Sequence, residues 1–199
     1  MLKLFHSPDS RSSRFIWLLE ELGADYEVVY CTVKRRSGAG APDHRNPHPE
    51  GRVPALLHDD RLVTEQIGIA LYLLELFPES ELGVAVGSRE RAAFLSWLGF
   101  WAGEADPAYN ARLFYADRLD ATTERDSRRV TSRVAGALGR SPYLMGERFT
   151  AADLFTSGPF EWDPGLADND PAITAWLRRV SARPAALRAA ALDRPTDGA

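Results

Sequence analysis

The chain has 199 residues, 45% hydrophobic and 26% charged, with a net charge of −4. That is enough chain of ordinary globular make-up to bury a core without staples, and it excludes the broad basic footprint of a nucleic-acid surface. One cysteine (Cys31) excludes an intramolecular disulfide, four scattered histidines make no metal site, and no apolar leader or membrane-length run occurs, so a cytoplasmic protein is expected.

Residues 2–5 (LKLF) carry the first strand signal. The polar run HSPDSRSSR follows, with four serines and two arginines. Phe15, Leu18, Leu19 and Leu22 then recur on one face of a helix, and Gly23 stands where a helix C-cap glycine belongs. Residues 26–33 (YEVVYCTV) are rich in β-branched and aromatic side chains and read as a buried strand. The order strand–helix–strand predicts a right-handed βαβ unit with parallel strands. Residues 34–52 hold glycine, proline and charge, and form a long loop. Residues 53–57 make the next strand, residues 58–61 a hairpin turn, and residues 62–64 the return strand. Ile67, Ala70, Leu71 and Leu74 give a second helical stripe. Ile69 and Leu73 make the opposite face apolar, so that helix is expected to be buried on two sides and to end before Pro78.

Residues 79–88 read as a linker, and the remaining signals are helical. Phe94, Trp97, Leu98 and Trp101 share one face; Val130, Val134, Ala137 and Leu138 share another. Asp170 is an N-cap followed by Pro171 at the first helical position, ahead of Ile173, Trp176, Leu177 and Val180. Thr150-Ala151-Ala152-Asp153 fits a capping box. The expected organisation is an α/β domain over 1–78, a linker over 79–88 and an all-helical domain over 89–199.

Four stretches carry a family resemblance: SRSSRFIWLLEELG (10–23), NPHPEGRVPALL (46–57), LVTEQIGIALYLLELFP (62–78) and YLMGERFTAADL (143–154). In this order and spacing the chain resembles the cytosolic glutathione S-transferases, of the bacterial serine-type or beta/theta-like kind. The resemblance implies a thioredoxin-like first domain (βαβ-ββα, mixed four-stranded sheet) and an all-α second domain. It also implies a homodimer that attaches the glutathione thiolate to small apolar electrophiles, a detoxification chemistry with no metal.

A free thiol is mostly protonated at neutral pH, so such an enzyme needs a donor aimed at the sulfur, and a hydroxyl near the start of the first helix suits the task. Ser10 matches the serine of the serine-type classes. Ser12 is the alternative. Arg11 stands where cysteine-type members place their cysteine, and its guanidinium is a glutathione-binding candidate, for the thiolate or the glycyl carboxylate. Ser13 is expected to cap the helix and Ser7 to be solvated. The resemblance further implies that Val53-Pro54 is a cis peptide, with the Val53 backbone pairing with the cysteinyl unit. Glu65 and Gln66, at a helix N-terminus that favours a carboxylate, are implied to hold the γ-glutamyl end. Glutamine stands there where the family usually has serine. Charge complementarity to the helix alone is the plainer reading of Glu65. Arg52 is a candidate for the glycyl carboxylate. His44 and His48 are read as solvated loop residues, and Cys31 as an inert buried thiol. Phe100, Trp101, Glu104 and Tyr109 are candidates for the wall of an electrophile pocket, although helical spacing assigns Trp101 to the core. Asp153 is read as structural. Two other readings stay open: a non-catalytic ligand- or protein-binding member of the same fold, and a glutathione-dependent isomerase or dehalogenase.

Overall fold

The structure is a computed structural model that describes residues 1–115 and 120–195. The expected domain 89–199 therefore extends in part beyond the described residues. The chain divides into two compact units: Met1–Ser80 with the segment from Pro184 onward, and Glu81–Arg183.

The first unit is built on β1 (Leu2–His6), α1 (Ser13–Leu22), β2 (Tyr26–Tyr30), β3 (Ala55–His58), β4 (Arg61–Val63) and α2 (Gln66–Leu76). The sheet order is β2-β1-β3-β4. β1 and β2 run parallel, as their helical crossover requires, while β3 and β4 form an antiparallel hairpin beside β1. Leu4 and Leu56 face one another in the register and are fully buried, as are Phe15, Ile16, Leu18 and Leu19 of α1. Gly23 takes the left-handed conformation expected of a C-cap glycine. In α2 the deepest residues are Ile69, Ala70, Leu73 and Leu74, drawn from both of the expected faces.

β2 is shorter than its composition predicts. It runs to Tyr30, opposite His6 at the end of β1, and one further bond joins the Cys31 N–H to the His6 carbonyl at 2.7 Å. Beyond that point β1 offers no partner. Cys31 is buried against Phe5 and Ala55, and burial pushes its thiol pKa up, which suits an inert side chain.

The second unit holds α3 (Arg91–Phe100), α4 (Asp106–Phe114), α5 (Ala121–Leu138), α6 (Ala151–Trp162) and α7 (Pro171–Ser181). Between α3 and α4 lies a π-helical turn, Trp101–Ala105, in which the Asp106 N–H reaches back to the Trp101 carbonyl. Pro107 has no N–H to continue the α ladder, and the wider turn absorbs that loss. Residues from Glu81 onward belong to this unit rather than standing apart as a linker: the Ala151 N–H bonds the Leu82 carbonyl at 2.9 Å, and Leu82 and Val84 are buried.

The capping box at α6 is present. The Thr150 hydroxyl accepts the Ala152 N–H, and Asp153 accepts the Thr150 N–H at 3.0 Å. Asp153 also accepts the Leu144 N–H at 2.8 Å and the Trp176 indole N–H at 3.0 Å, so it ties α6 to α7. Burial pushes its carboxyl above the usual range against the pull of these bonds.

The last helix, α8 (Pro184–Ala191), departs from the expected organisation. It packs on α1 in the first unit, burying Ala185 and Ala189, and its Arg188 donates to Glu20 at 2.6 Å. Small alanines on one face let two helices approach closely, a pairing with no local sequence signal.

Candidate functional site

The polar run between β1 and α1 folds into a closed hydrogen-bond network. His6 ends β1 with its ring fully buried, edge-on to Tyr30 at 5.6 Å. Asp9 turns the chain at φ 53°, a left-handed conformation that aspartate tolerates. The Ser13 N–H then bonds the Ser10 carbonyl at 3.0 Å. This turn brings Ser12 back onto His6, with its Oγ 2.8 Å from Nδ1.

The partners fix the protons. His6 Nε2 lies 2.8 Å from the Asp193 carbonyl, which can only accept, so Nε2 carries the hydrogen. Burial lowers the His6 pKa, so the ring is neutral and its Nδ1 is the acceptor. The Ser12 hydroxyl therefore donates to His6, while its oxygen accepts the Ser7 N–H at 3.2 Å. Ser10 Oγ lies 2.7 Å from both the Ser7 carbonyl and Ser12 Oγ. Ser12 is fully buried, whereas Ser10 is half-buried and retains a solvent-facing surface.

Two serines behave differently from expectation. Ser13 is the first residue of α1, and no side chain caps that helix; its hydroxyl donates to the Asp193 carboxylate. Ser7 is buried rather than solvated, with Arg35 Nη2 donating to its hydroxyl at 3.1 Å.

Residues remote in sequence clamp the loop. Arg35 donates to the Pro8 carbonyl at 2.6 Å and the Asp9 carbonyl at 3.2 Å. It can do so because residues 34–40 fold back tightly at Gly40, where a side chain would lie 2.3 Å from the Val33 carbonyl. Asp193 accepts the Asp9 N–H at 3.1 Å, Arg194 pairs with the Asp9 carboxylate at 2.5 Å, and Tyr30 donates to the Leu192 carbonyl at 2.8 Å. Sequence reasoning missed His6, Arg35 and Asp193. A histidine at a strand end beside a serine-rich loop was a usable signal for the first; nothing local marks the other two.

A second cluster lies around the start of β3 and of α2. Val53-Pro54 is cis, as the resemblance implies, and Val53 precedes the β3 ladder. Glu65 occupies the N-cap position of α2 at φ 63°, ψ 132°, and Gln66 is the first helical residue. A non-glycine residue in this region costs about 1–3 kcal/mol, which marks Glu65 as held there by its surroundings. Its side chain is 69% exposed, 3.7 Å from Arg52 and 4.0 Å from His48. Arg52 also pairs with Glu50. His44 is exposed as expected, but His48 is buried, its Nδ1 accepting the Glu50 N–H at 3.1 Å. Arg11 is half-buried.

The four residues expected at an electrophile wall lie in the second unit. Phe100, Trp101 and Tyr109 are buried there; Trp101 stacks on Phe155 at 4.3 Å and Tyr109 meets Trp162 at 5.5 Å. Their helical spacing spends them on packing. Glu104 is half-buried and paired with Arg129 at 2.5 Å. Among the described residues no cluster of metal-ligating side chains occurs, and no helix is long and apolar enough to cross a membrane.

Comparison with known proteins supplies the family context. Residues 1–75 match the glutathione S-transferase N-terminal domain, and residues 107–184 the glutathione S-transferase C-terminal domain. The chain is 29% identical to the glutathione S-transferase GstA of Escherichia coli O157:H7 over 190 residues, covering 92% of this chain and 94% of that one. A glutathione transferase structure from Methylococcus capsulatus superposes with a TM-score of 0.79 at 32% identity, covering 97% of this chain and 98% of the other. A sphingomonad glutathione S-transferase complexed with glutathione superposes with a TM-score of 0.77 at 28% identity, over 96% and 98% of the two chains.

Proposed function

The chain belongs to the glutathione S-transferase family, and we propose that it joins the thiolate of glutathione to small apolar electrophiles, with Ser10 as the hydroxyl that faces the sulfur. The observation that carries the assignment is the asymmetry of the two serines. Ser12 is sealed, with its proton committed to His6, whereas the Ser10 proton can swing from the Ser7 carbonyl to a ligand. A donated hydrogen bond stabilises the thiolate over the thiol, and the N-terminal end of α1 adds to it.

The tripeptide is proposed to lie along the cluster beside this loop. Val53, ahead of β3 and followed by Pro54, offers backbone groups to the cysteinyl unit in the manner of an added strand. Glu65 takes the γ-glutamyl ammonium, and the backbone N–H of Gln66 takes its carboxylate. Arg52 or Arg11 takes the glycyl carboxylate. The strained backbone of Glu65 supports a binding role beyond charge complementarity. For the electrophile we assign an apolar class. Glu104, with its partial exposure, fits a rim position better than the buried Phe100, Trp101 and Tyr109. A cytoplasmic homodimer is part of the proposal.

The test is retention on immobilised glutathione and turnover of an activated aryl halide, beside Ser10→Ala and Ser12→Ala. Retention with turnover is expected for the native chain. Ser10→Ala should keep retention and lose roughly a hundredfold in rate, as when one preorganised donor is removed. No retention and no turnover would instead identify a non-catalytic member of the fold.

A further inference from the structure

We propose that His6 receives the proton of the bound thiol through a Ser10–Ser12 relay, with Asp193 as the residue that positions it. The inference rests on the transferase reading above and deepens it.

The geometry is a chain of short contacts ending in a buried base. Ser10 Oγ to Ser12 Oγ is 2.7 Å, Ser12 Oγ to His6 Nδ1 is 2.8 Å, and His6 Nε2 to the Asp193 carbonyl is 2.8 Å. Hydroxyl groups both donate and accept, so two of them in series pass a proton without changing their own charge.

The bookkeeping of atoms closes. With the thiol bound, the Ser10 hydroxyl turns from the Ser7 carbonyl to Ser12 Oγ, both 2.7 Å away; the thiol S–H proton then goes to Ser10 Oγ, the Ser10 proton to Ser12 Oγ, and the Ser12 proton to His6 Nδ1. Sulfur becomes a thiolate, imidazole becomes imidazolium, and each serine ends with one hydrogen, as it began. Every hydrogen bond in the chain has reversed. Ser10 now donates to the thiolate, which is the stabilising contact the transferase reading requires. The thiolate pair then forms the carbon–sulfur bond, the halide leaves with its bonding pair, and His6 releases its proton to solvent.

The surroundings suit a base that is empty at rest and can fill. Burial and the Arg35 guanidinium lower the His6 pKa, so the ring waits neutral. Asp193 and Asp9 act in the opposite sense, and the Asp193 carboxylate oxygen lies 3.6 Å from Nε2. Tyr30 faces the ring edge-on. A thiolate formed at Ser10 adds a further negative charge that favours imidazolium. The Asp193 carbonyl meanwhile holds Nε2 protonated, which leaves Nδ1 as the acceptor.

The experiment uses the full chain, glutathione and an activated aryl halide. Binding is followed at neutral pH with a pH-indicator dye, and thiolate by its ultraviolet absorbance. If His6 keeps the proton, the native protein forms bound thiolate with little proton release. His6→Asn, which retains an acceptor beside Ser12 but cannot hold a proton, should release one proton per thiolate formed. Its kcat/KM should fall roughly a hundredfold at neutral pH and recover toward the native value in alkali, as expected when a general base is lost. Its KM for glutathione should hold. Ser12→Ala should behave likewise and serves if His6→Asn does not fold. Asp193→Asn keeps the main-chain carbonyl but removes the carboxylate that favours imidazolium, so it should release part of the proton when the thiolate forms.

Stoichiometric proton release by the native protein would overturn the relay while leaving the transferase reading intact. So would rate losses in His6→Asn and Ser12→Ala that are equal at every pH. A native protein that neither binds nor turns over would overturn both.

Discussion

Replacing Asp153 by alanine is expected to be among the most destabilising single changes in the second unit. The fully buried carboxylate accepts the Leu144 N–H at 2.8 Å, the Thr150 N–H at 3.0 Å and the Trp176 indole N–H at 3.0 Å. Alanine strands three buried N–H donors at about 1–3 kcal/mol each, and the Thr150 hydroxyl, which also donates to Asp153 at 3.2 Å, loses that acceptor. Relief from holding a buried carboxylate, whose pKa burial has pushed up, offsets part of that. A net loss of about 3–5 kcal/mol follows, which for a chain of this length lowers Tm by about 10 °C. Urea and thermal unfolding, followed by far-ultraviolet circular dichroism and tryptophan fluorescence, measure it; coincident transitions license the two-state figure. Glutathione retention by the folded fraction should not change. A loss under about 1 kcal/mol would refute the reasoning, because it would mean the stranded donors find other partners.

Other expectations concern the first unit. Glu65→Ala should raise the KM for glutathione roughly tenfold, about 1.4 kcal/mol of binding, with kcat little changed; an unaltered KM would remove Glu65 from the ligand site. Arg35→Lys should impair turnover nearly as much as Arg35→Ala, since an ammonium cannot span the Ser7, Pro8 and Asp9 oxygens that the guanidinium joins; full activity in the lysine variant counts against the clamp. The pH dependence of stability has a definite sign at His6. Its folded pKa lies below the unfolded value of about 6.5, so the unfolded chain takes up a proton first as pH falls through that value. The contribution is fully present above it and is lost on acidification. His6→Asn should flatten this part of the stability profile; an unchanged slope would mean the native ring is not shielded from protonation.

What the sequence made legible was whatever depends on near neighbours. The stripe Phe15, Leu18, Leu19, the glycine at 23, the Thr150–Asp153 box and the Asp170–Pro171 start are local patterns, and each appears where its pattern puts it. The first strand pair and the hairpin followed from element order. Features that need a distant partner were not legible. Asp193 reaches His6 across 187 positions, and Arg35 reaches Ser7 across 28. α8 reads as one more helix, and only three-dimensional packing assigns it to α1. The π turn at Trp101–Ala105 is a further case: Pro107 is visible in sequence, but whether the helix breaks or widens depends on the packing around it. Within the first loop, sequence alone left Ser10 and Ser12 as alternatives. Burial and the tautomer of His6 give them different places in one chain of hydrogen bonds.

The most direct measurement is the ionisation of bound glutathione. Titrating the complex by thiolate absorbance should give a thiol pKa at least one to two units below that of the free thiol, about 8.5, with most of the ligand ionised at neutral pH. In Ser10→Ala that shift should largely vanish while binding persists. A bound thiol that titrates like the free one in the native protein, or a shift that survives intact in Ser10→Ala, would contradict the assignment of the first loop as the place where the thiolate is made.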